Sequence, residues 1–196
     1  SRRRQNRGEL MLLYVNGDEL SGGAGAVNDF VSAGDDIQHP ASGNTAHPDN
    51  LMHSYGFYLS RLLNLGLRCE AVQRKNNQEI YDSVVDFVKH DLPRLRSVHT
   101  VVVIGWMPGV EVSMLNRLAD KLEQLGIQFV FFNTKRPLLQ STKLTFSNYL
   151  DLTDPRLCFL QWCKDHGYNI KNDQYPDANA HNAWAKYIFG RMIEVL

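Results

Sequence analysis

Polar residues able to do chemistry gather at four places in this chain, three of them closing an apolar run. Asn16-Gly17-Asp18-Glu19-Leu20-Ser21 closes the first run, and Glu70 closes the second, which leads into Asn76-Asn77. Gly105-Trp106-Met107-Pro108 closes the third, and Asp173 through His181 precedes a terminal helical pattern. If the runs are parallel strands, all four clusters lie at or beside carboxyl ends and converge on one cleft. Asp18 and Glu19 are carboxylates of the kind that share acid and base work on a glycosidic bond, which needs two carboxyls across a substrate with separated pKa values. Neighbours at a strand end point to different sides, so this pair suits that work poorly. Trp106 offers an indole for stacking on a sugar or a base, although a large aromatic at a strand end more often packs in the core.

Other chemistries find less support. The glycine-rich stretch from Gly17 to Gly25 follows a strand, yet it has no Lys and no helix starts promptly after it. A phosphate-cradling loop needs both, so a flexible turn is expected. His47, Asp49 and His53 do not have the spacing of a metal site, and Cys158 and Cys163, five apart on a helical pattern, suit packing more than ligation. No metal and no cofactor is expected. Arg74-Lys75 and Lys135-Arg136 follow strands and read as solvated surface pairs.

The elements that must position these clusters follow from hydrophobic periodicity. Leu10 to Val15, Leu67 to Val72, Thr100 to Ile104 and Ile127 to Phe132 are short β-branched or aromatic runs that predict buried parallel strands. Between them, Leu51 to Leu62, Ile80 to Val88 and Leu115 to Leu125 repeat apolar residues at helical spacing. Pro48 suits a first helical position, Gly66 and Gly126 suit left-handed C-caps, and Pro93 is expected to stop the second helix. A helix opens at Asp154-Pro155 and ends at His166-Gly167, Tyr168 to Ile170 offers a fifth strand, and a terminal helix carries Trp184, Tyr187, Ile188 and Met192. The alternation predicts a doubly wound α/β sandwich of three layers, with a parallel sheet of about five strands and helices on both faces. Residues 21 to 47 and 133 to 153 break the rhythm at the carboxyl edge, where long loops are usually functional.

Composition sets the bounds. The 196 residues, 43% of them hydrophobic, fit a flexible basic arm over 1–9 and a single domain over 10–196. Lys+Arg and Asp+Glu are both 21, so only the arm, with Arg2, Arg3, Arg4 and Arg7, suggests nucleic acid or a neighbouring subunit, and a solvated terminus is the stronger reading. No apolar run reaches membrane-spanning length, no signal-peptide pattern follows the arm, and the odd three cysteines suit a reducing compartment. A soluble protein without membrane contact is expected. Ser1 rather than Met opens the chain, which fits a processed product or the tail of a longer polypeptide.

The order and spacing of the four clusters resemble the SGNH (GDSL) hydrolase superfamily, over most of residues 10 to 195. Gly17-Asp18-Glu19-Leu20 resembles its first block, one letter from Gly-Asp-Ser-Leu, and Asn76 or Asn77 stands where the second block supplies an oxyanion-hole Gly. Gly105-Trp106-Met107-Pro108 matches the place of Gly-x-Asn-Asp, and Tyr175-Pro176-Asp177-Ala178-Asn179-Ala180-His181 resembles the run that opens the last helix. The opening Val15 to Ser21, with Ser54-Tyr55-Gly56 and Ile104-Gly105-Trp106, also resembles uncharacterised SGNH-like proteins of tailed bacteriophages. The resemblance implies a flavodoxin-like fold, a cytoplasmic or virion-associated setting in an infected host, and virion or self subunits as partners. It also implies a cleft built from Gly17, Asp18, Glu19, Asn76, Asn77, Gly105, Trp106, Tyr175 and Asp177 that takes a carbohydrate or an acylated small ligand.

Three departures bear on the reaction. In active relatives a serine attacks the ester carbonyl, a histidine takes its proton and an asparagine donates to the oxyanion. Here those positions are Glu19, Tyr175 and Met107. The sequence therefore points to a catalytically degenerate binding or structural module. The alternative is an esterase or acetyl-hydrolase with relocated residues: Ser21 as nucleophile, His181 as base, and Asp173 or Asp177 as orienter.

Overall fold

A computed structural model describes residues 11–27, 48–71, 75–95, 99–138, 144–146 and 157–195. The basic arm, Arg74 and most of both long loops lie outside these residues. Four strands, β1 (Met11–Gly17), β2 (Gly66–Cys69), β3 (His99–Trp106) and β4 (Gln128–Asn133), form one parallel sheet in the order β2-β1-β3-β4. Register is continuous from Met11 opposite His99 to Gly17 opposite Gly105. That pairing brings the first and third polar clusters side by side.

β1, β3 and β4 are buried on both sides along most of their length, the edge strand β2 only partly, and the pleat sorts their residues between two cores. Tyr14, Val102, Ile104, Trp106, Phe129 and Phe131 face one core. It is closed by α3 (Asn77–Asp86) and α5 (Val112–Gln124), the latter through Leu115, Leu118 and Leu122. Leu13, Val15, Val103, Val130 and Phe132 face the other core. Here α2 (Tyr55–Leu63), α6 (Phe159–Asp165) and α7 (Ala178–Val195) cover the sheet. This is the three-layer α/β sandwich that the alternation predicts. Each fully buried Leu or Phe contributes roughly 1.5–3 kcal/mol relative to exposure, so the two cores dominate stability. Among the described residues, all three cysteines are free thiols, Cys158 and Cys163 buried at the two ends of α6.

Four details correct the sequence reading. The fifth strand does not join the sheet: β5 (Ile170–Lys171) pairs antiparallel with β6 (Tyr175–Pro176) in a ribbon of its own. Its turn is tight because Asn172 and Asp173 both adopt positive φ, at 50° and 59°. Pro93 does not stop the helix either. A π turn over Phe87–Asp91 carries the chain into α4 (Leu92–Leu95), and this wider turn relieves the clash of the proline ring with the carbonyl four residues back. The left-handed cap of α2 is Asn64, while Gly66 opens β2. The first helical pattern itself splits into α1 (Pro48–Leu51) and α2, and Pro48 takes the first helical position as expected.

Candidate functional site

The site begins where β1 ends. Asn16 is buried and its amide is fully used: Nδ2 donates to Tyr14 Oη and Ser83 Oγ, while Oδ1 accepts from Gly17 N and Lys75 Nζ. Lys75 also donates to the Glu70 carbonyl, and Tyr14 donates to Glu70 Oε2 at 2.5 Å, so the ends of β1 and β2 are tied together. Burial lowers the Lys75 ammonium. Gly17 has φ +149°, and a Cβ there would lie 2.3 Å from Ser21 Oγ and 2.6 Å from the Gly105 carbonyl. The chain then coils: Ser21 N donates to the Asp18 carbonyl at 3.1 Å and Ala24 N to the Glu19 carbonyl at 3.0 Å. The glycine-rich stretch is thus a turn, as expected, but a buried and hydrogen-bonded one where composition suggested a flexible one.

Asp18 is wholly buried. Its Oδ1 accepts from Leu20 N at 3.1 Å and its Oδ2 from Thr134 Oγ1 at 2.7 Å, which ties the β1 turn to the end of β4. Burial, with the neighbouring Glu19 charge, pushes the Asp18 carboxyl up to about 7, against the pull of Lys135. Glu19, at the place of the superfamily nucleophile, forms a hydrogen-bonded ion pair with Lys135, whose Nζ is also 3.9 Å from Asp18 Oδ2. Burial works to lower the Lys135 ammonium, but the Glu19 hydrogen bond and both carboxylate charges outweigh it and raise its pKa. Tyr175 stands half-buried in β6. The structure sets Lys135, expected on the solvated surface, against position 19.

Ser21 and His181 are both fully buried, but no hydrogen bond joins them. Ser21 Oγ packs between Gly17 and Gly105 beside Tyr55 Oη, neither hydroxyl has a partner in hydrogen-bond geometry, and burial holds the Tyr55 phenol well above its ordinary range. His181 Nδ1 accepts from the Tyr55 backbone N–H at 3.0 Å, satisfying the first turn of α2, and its ring stacks on Tyr55 at 6.0 Å. Burial drives this imidazole down to about 3, so it stays neutral, with Nε2 unpartnered. Asp173 lies away from both, 85% exposed and 2.7 Å from Lys164 Nζ. Asp177 caps α7, its Oδ1 accepting from Ala180 N at 2.9 Å.

Asn76 caps α3 in a reciprocal box with Glu79. Asn77 clamps the end of β3, Oδ1 accepting from Met107 N at 2.9 Å and Nδ2 donating to the Met107 carbonyl at 3.1 Å. Trp106, expected in the cleft, is buried edge-on against Phe131 in the core, because its place in β3 points it to the α3–α5 face. Gly105 is held to glycine by Ser21 Oγ, 2.3 Å from where a Cβ would stand. Among the described residues, no group of three His, Cys, Asp or Glu converges on a point, and no helix is long and apolar enough to cross a membrane. Lys135, Thr134 and Tyr55 are the residues that sequence reasoning missed. Lys135 follows β4 at the carboxyl edge, the same positional signal that located the other clusters.

The arrangement is a three-layer α/β sandwich with a carboxylate–ammonium pair at the carboxyl end of its first strand. One solved structure similar to the chain is of a Desulfitobacterium hafniense DCB-2 protein assigned to the lipolytic G-D-S-L family, at 14% identity and TM-score 0.54, covering 95% of this chain and 99% of that one. Another is a carbohydrate esterase family 2 enzyme with a carbohydrate binding domain from Corynascus thermopiles (Myceliophthora fergusii), at 13% identity and TM-score 0.57. That match covers 94% of this chain and 66% of the enzyme. No protein-family model and no curated protein matches the sequence.

Proposed function

We propose that this chain is a catalytically degenerate SGNH-fold domain that works by binding rather than by hydrolysis. The observation that carries the reading is the ion pair of Glu19 with Lys135 at the nucleophile position. A carboxylate neutralised in this way has neither the hydroxyl nor the adjacent base that acyl transfer requires. Met107 offers no side-chain donor to an oxyanion, and the Asn77 amide is already engaged with the Met107 backbone. A polar cleft of this kind suits a carbohydrate or an acylated small molecule as ligand. Purified protein is expected to hydrolyse p-nitrophenyl acetate and acetylated glycans no faster than buffer does.

The esterase reading draws on one specific observation, that Ser21 Oγ and His181 Nε2 are both buried without partners and both residues contact Tyr55. It requires Tyr55 to move so that the hydroxyl and the imidazole meet. Turnover that is abolished by Ser21→Ala and by His181→Ala, each folded, would establish it and end the binding-module reading. The virion setting rests on the resemblance alone; copies in symmetric number within purified particles support it, and absence from particles removes it.

A further inference from the structure

The loops that follow β3 and β4 border an open space of about 940 Å³, inside the range of small-molecule sites. Among the described residues, Glu19, Lys135 and Tyr175 are not part of its lining. Its polar groups come from three elements. Asn133, at the end of β4, is 1% exposed, and its Oδ1 has no partner. Arg136, three residues beyond the end of β4, is exposed and makes no ion pair among the described residues. The third element is the first turn of α5, a helix of 13 residues whose cap, Glu111, makes no side-chain hydrogen bond to its amides. The backbone amides of that turn are left uncapped, since the Glu111 carboxylate accepts from the Ser113 hydroxyl, at 3.4 Å, and not from a backbone N–H. Val110 and Leu138, both buried, supply apolar wall.

The geometry points to a site for a small monocarboxylate that also carries hydroxyl groups, of the hydroxy-acid or uronic-acid class. A guanidinium fork and the uncapped amides of a helix start both recognise a carboxylate. The buried Asn133 Oδ1 asks for something different: an orphaned acceptor is costly, and a ligand hydroxyl is the group that would relieve it. A bare anion such as sulfate has no hydrogen to give and would leave that acceptor unmet. Glu111 accepts from a hydroxyl, and its carboxylate repels a dianion about twice as strongly as a monocarboxylate. The site stands whether or not the cleft does chemistry.

Calorimetric titration of the full chain with D-glucuronate, D-glucose and sodium sulfate tests this. Glucuronate should bind with one site per chain, at least about tenfold more tightly than either of the others, since each lacks one half of the recognition. Arg136→Gln, an exposed substitution whose fold a melting curve verifies, should weaken glucuronate about tenfold or more. Glu19→Gln should leave its affinity unchanged. No glucuronate binding, sulfate binding as tightly as glucuronate, or an unaltered affinity in Arg136→Gln each overturns the proposal. So does a loss in Glu19→Gln as large as in Arg136→Gln, which would place the ligand in the cleft. The reading of the cleft as non-hydrolytic rests on Glu19 and Lys135 and is tested by turnover, so the two can fail separately.

Discussion

Lys135 holds two carboxylates in register, Glu19 in direct contact and the buried Asp18 at 3.9 Å, and Thr134 beside it binds the same aspartate. Removing the ammonium leaves adjacent negative charges in a poorly solvated place. Lys135→Met is therefore expected to cost about 1–3 kcal/mol in urea unfolding, below the figure for a fully buried pair because the lysine keeps some exposure. Adding Glu19→Gln to that variant should recover part of the loss, and a single variant as stable as the parent would show that the pair is ornamental. The sequence located Glu19 and Tyr175 because a strand end and a motif spacing mark them. It did not reveal Lys135, because a basic pair after a strand looks the same whether its ammonium faces water or lies between carboxylates. The roles of Ser21 and His181 were illegible for a related reason: which side of Tyr55 each one meets depends on how α2 and α7 pack, and no local pattern records that.

At the level of elements, the clamp between α3 and β3 is the joint that aligns the second and third clusters. Asn77 makes both of its bonds to Met107 backbone groups, so Asn77→Ala should destabilise by about 1–3 kcal/mol through an N–H and a carbonyl left to find water. Amide exchange at Met107 reads the effect locally, and protection equal to the parent's would count against the clamp. β1, β3 and β4 were legible because apolar runs buried on both faces have few alternatives. Tyr168 to Ile170 misled because a run that short carries no partner information, and the left-handed turn at Asn172 and Asp173 folds it back on Tyr175–Pro176 instead. Pro93 misled because a proline's effect depends on the turn before it, and here that turn is π.

For the molecule as a whole, Asp18 and His181 pull stability in opposite directions with pH. Asp18, raised to about 7, keeps its proton in the folded state between pH 4 and 7 while the unfolded chain has lost it, so its contribution falls as pH rises through that window. His181, lowered to about 3, refuses a proton that the unfolded chain accepts below about pH 6.5, so its contribution is lost as pH falls from there toward 3. The two slopes oppose each other between about pH 4 and 6.5. Asp18→Asn should remove one of them, and its urea midpoint should climb more steeply than the parent's from pH 4.5 to 6.5; parallel curves would contradict the opposition. The buried sulfurs of α6 give this protein a clock of its own. Cys158 and Cys163 are wholly covered, and burial holds both as neutral thiols, so an alkylating reagent meets them only while the helix stands open. The rate at which iodoacetamide consumes them would count those openings directly, without a probe having to be introduced.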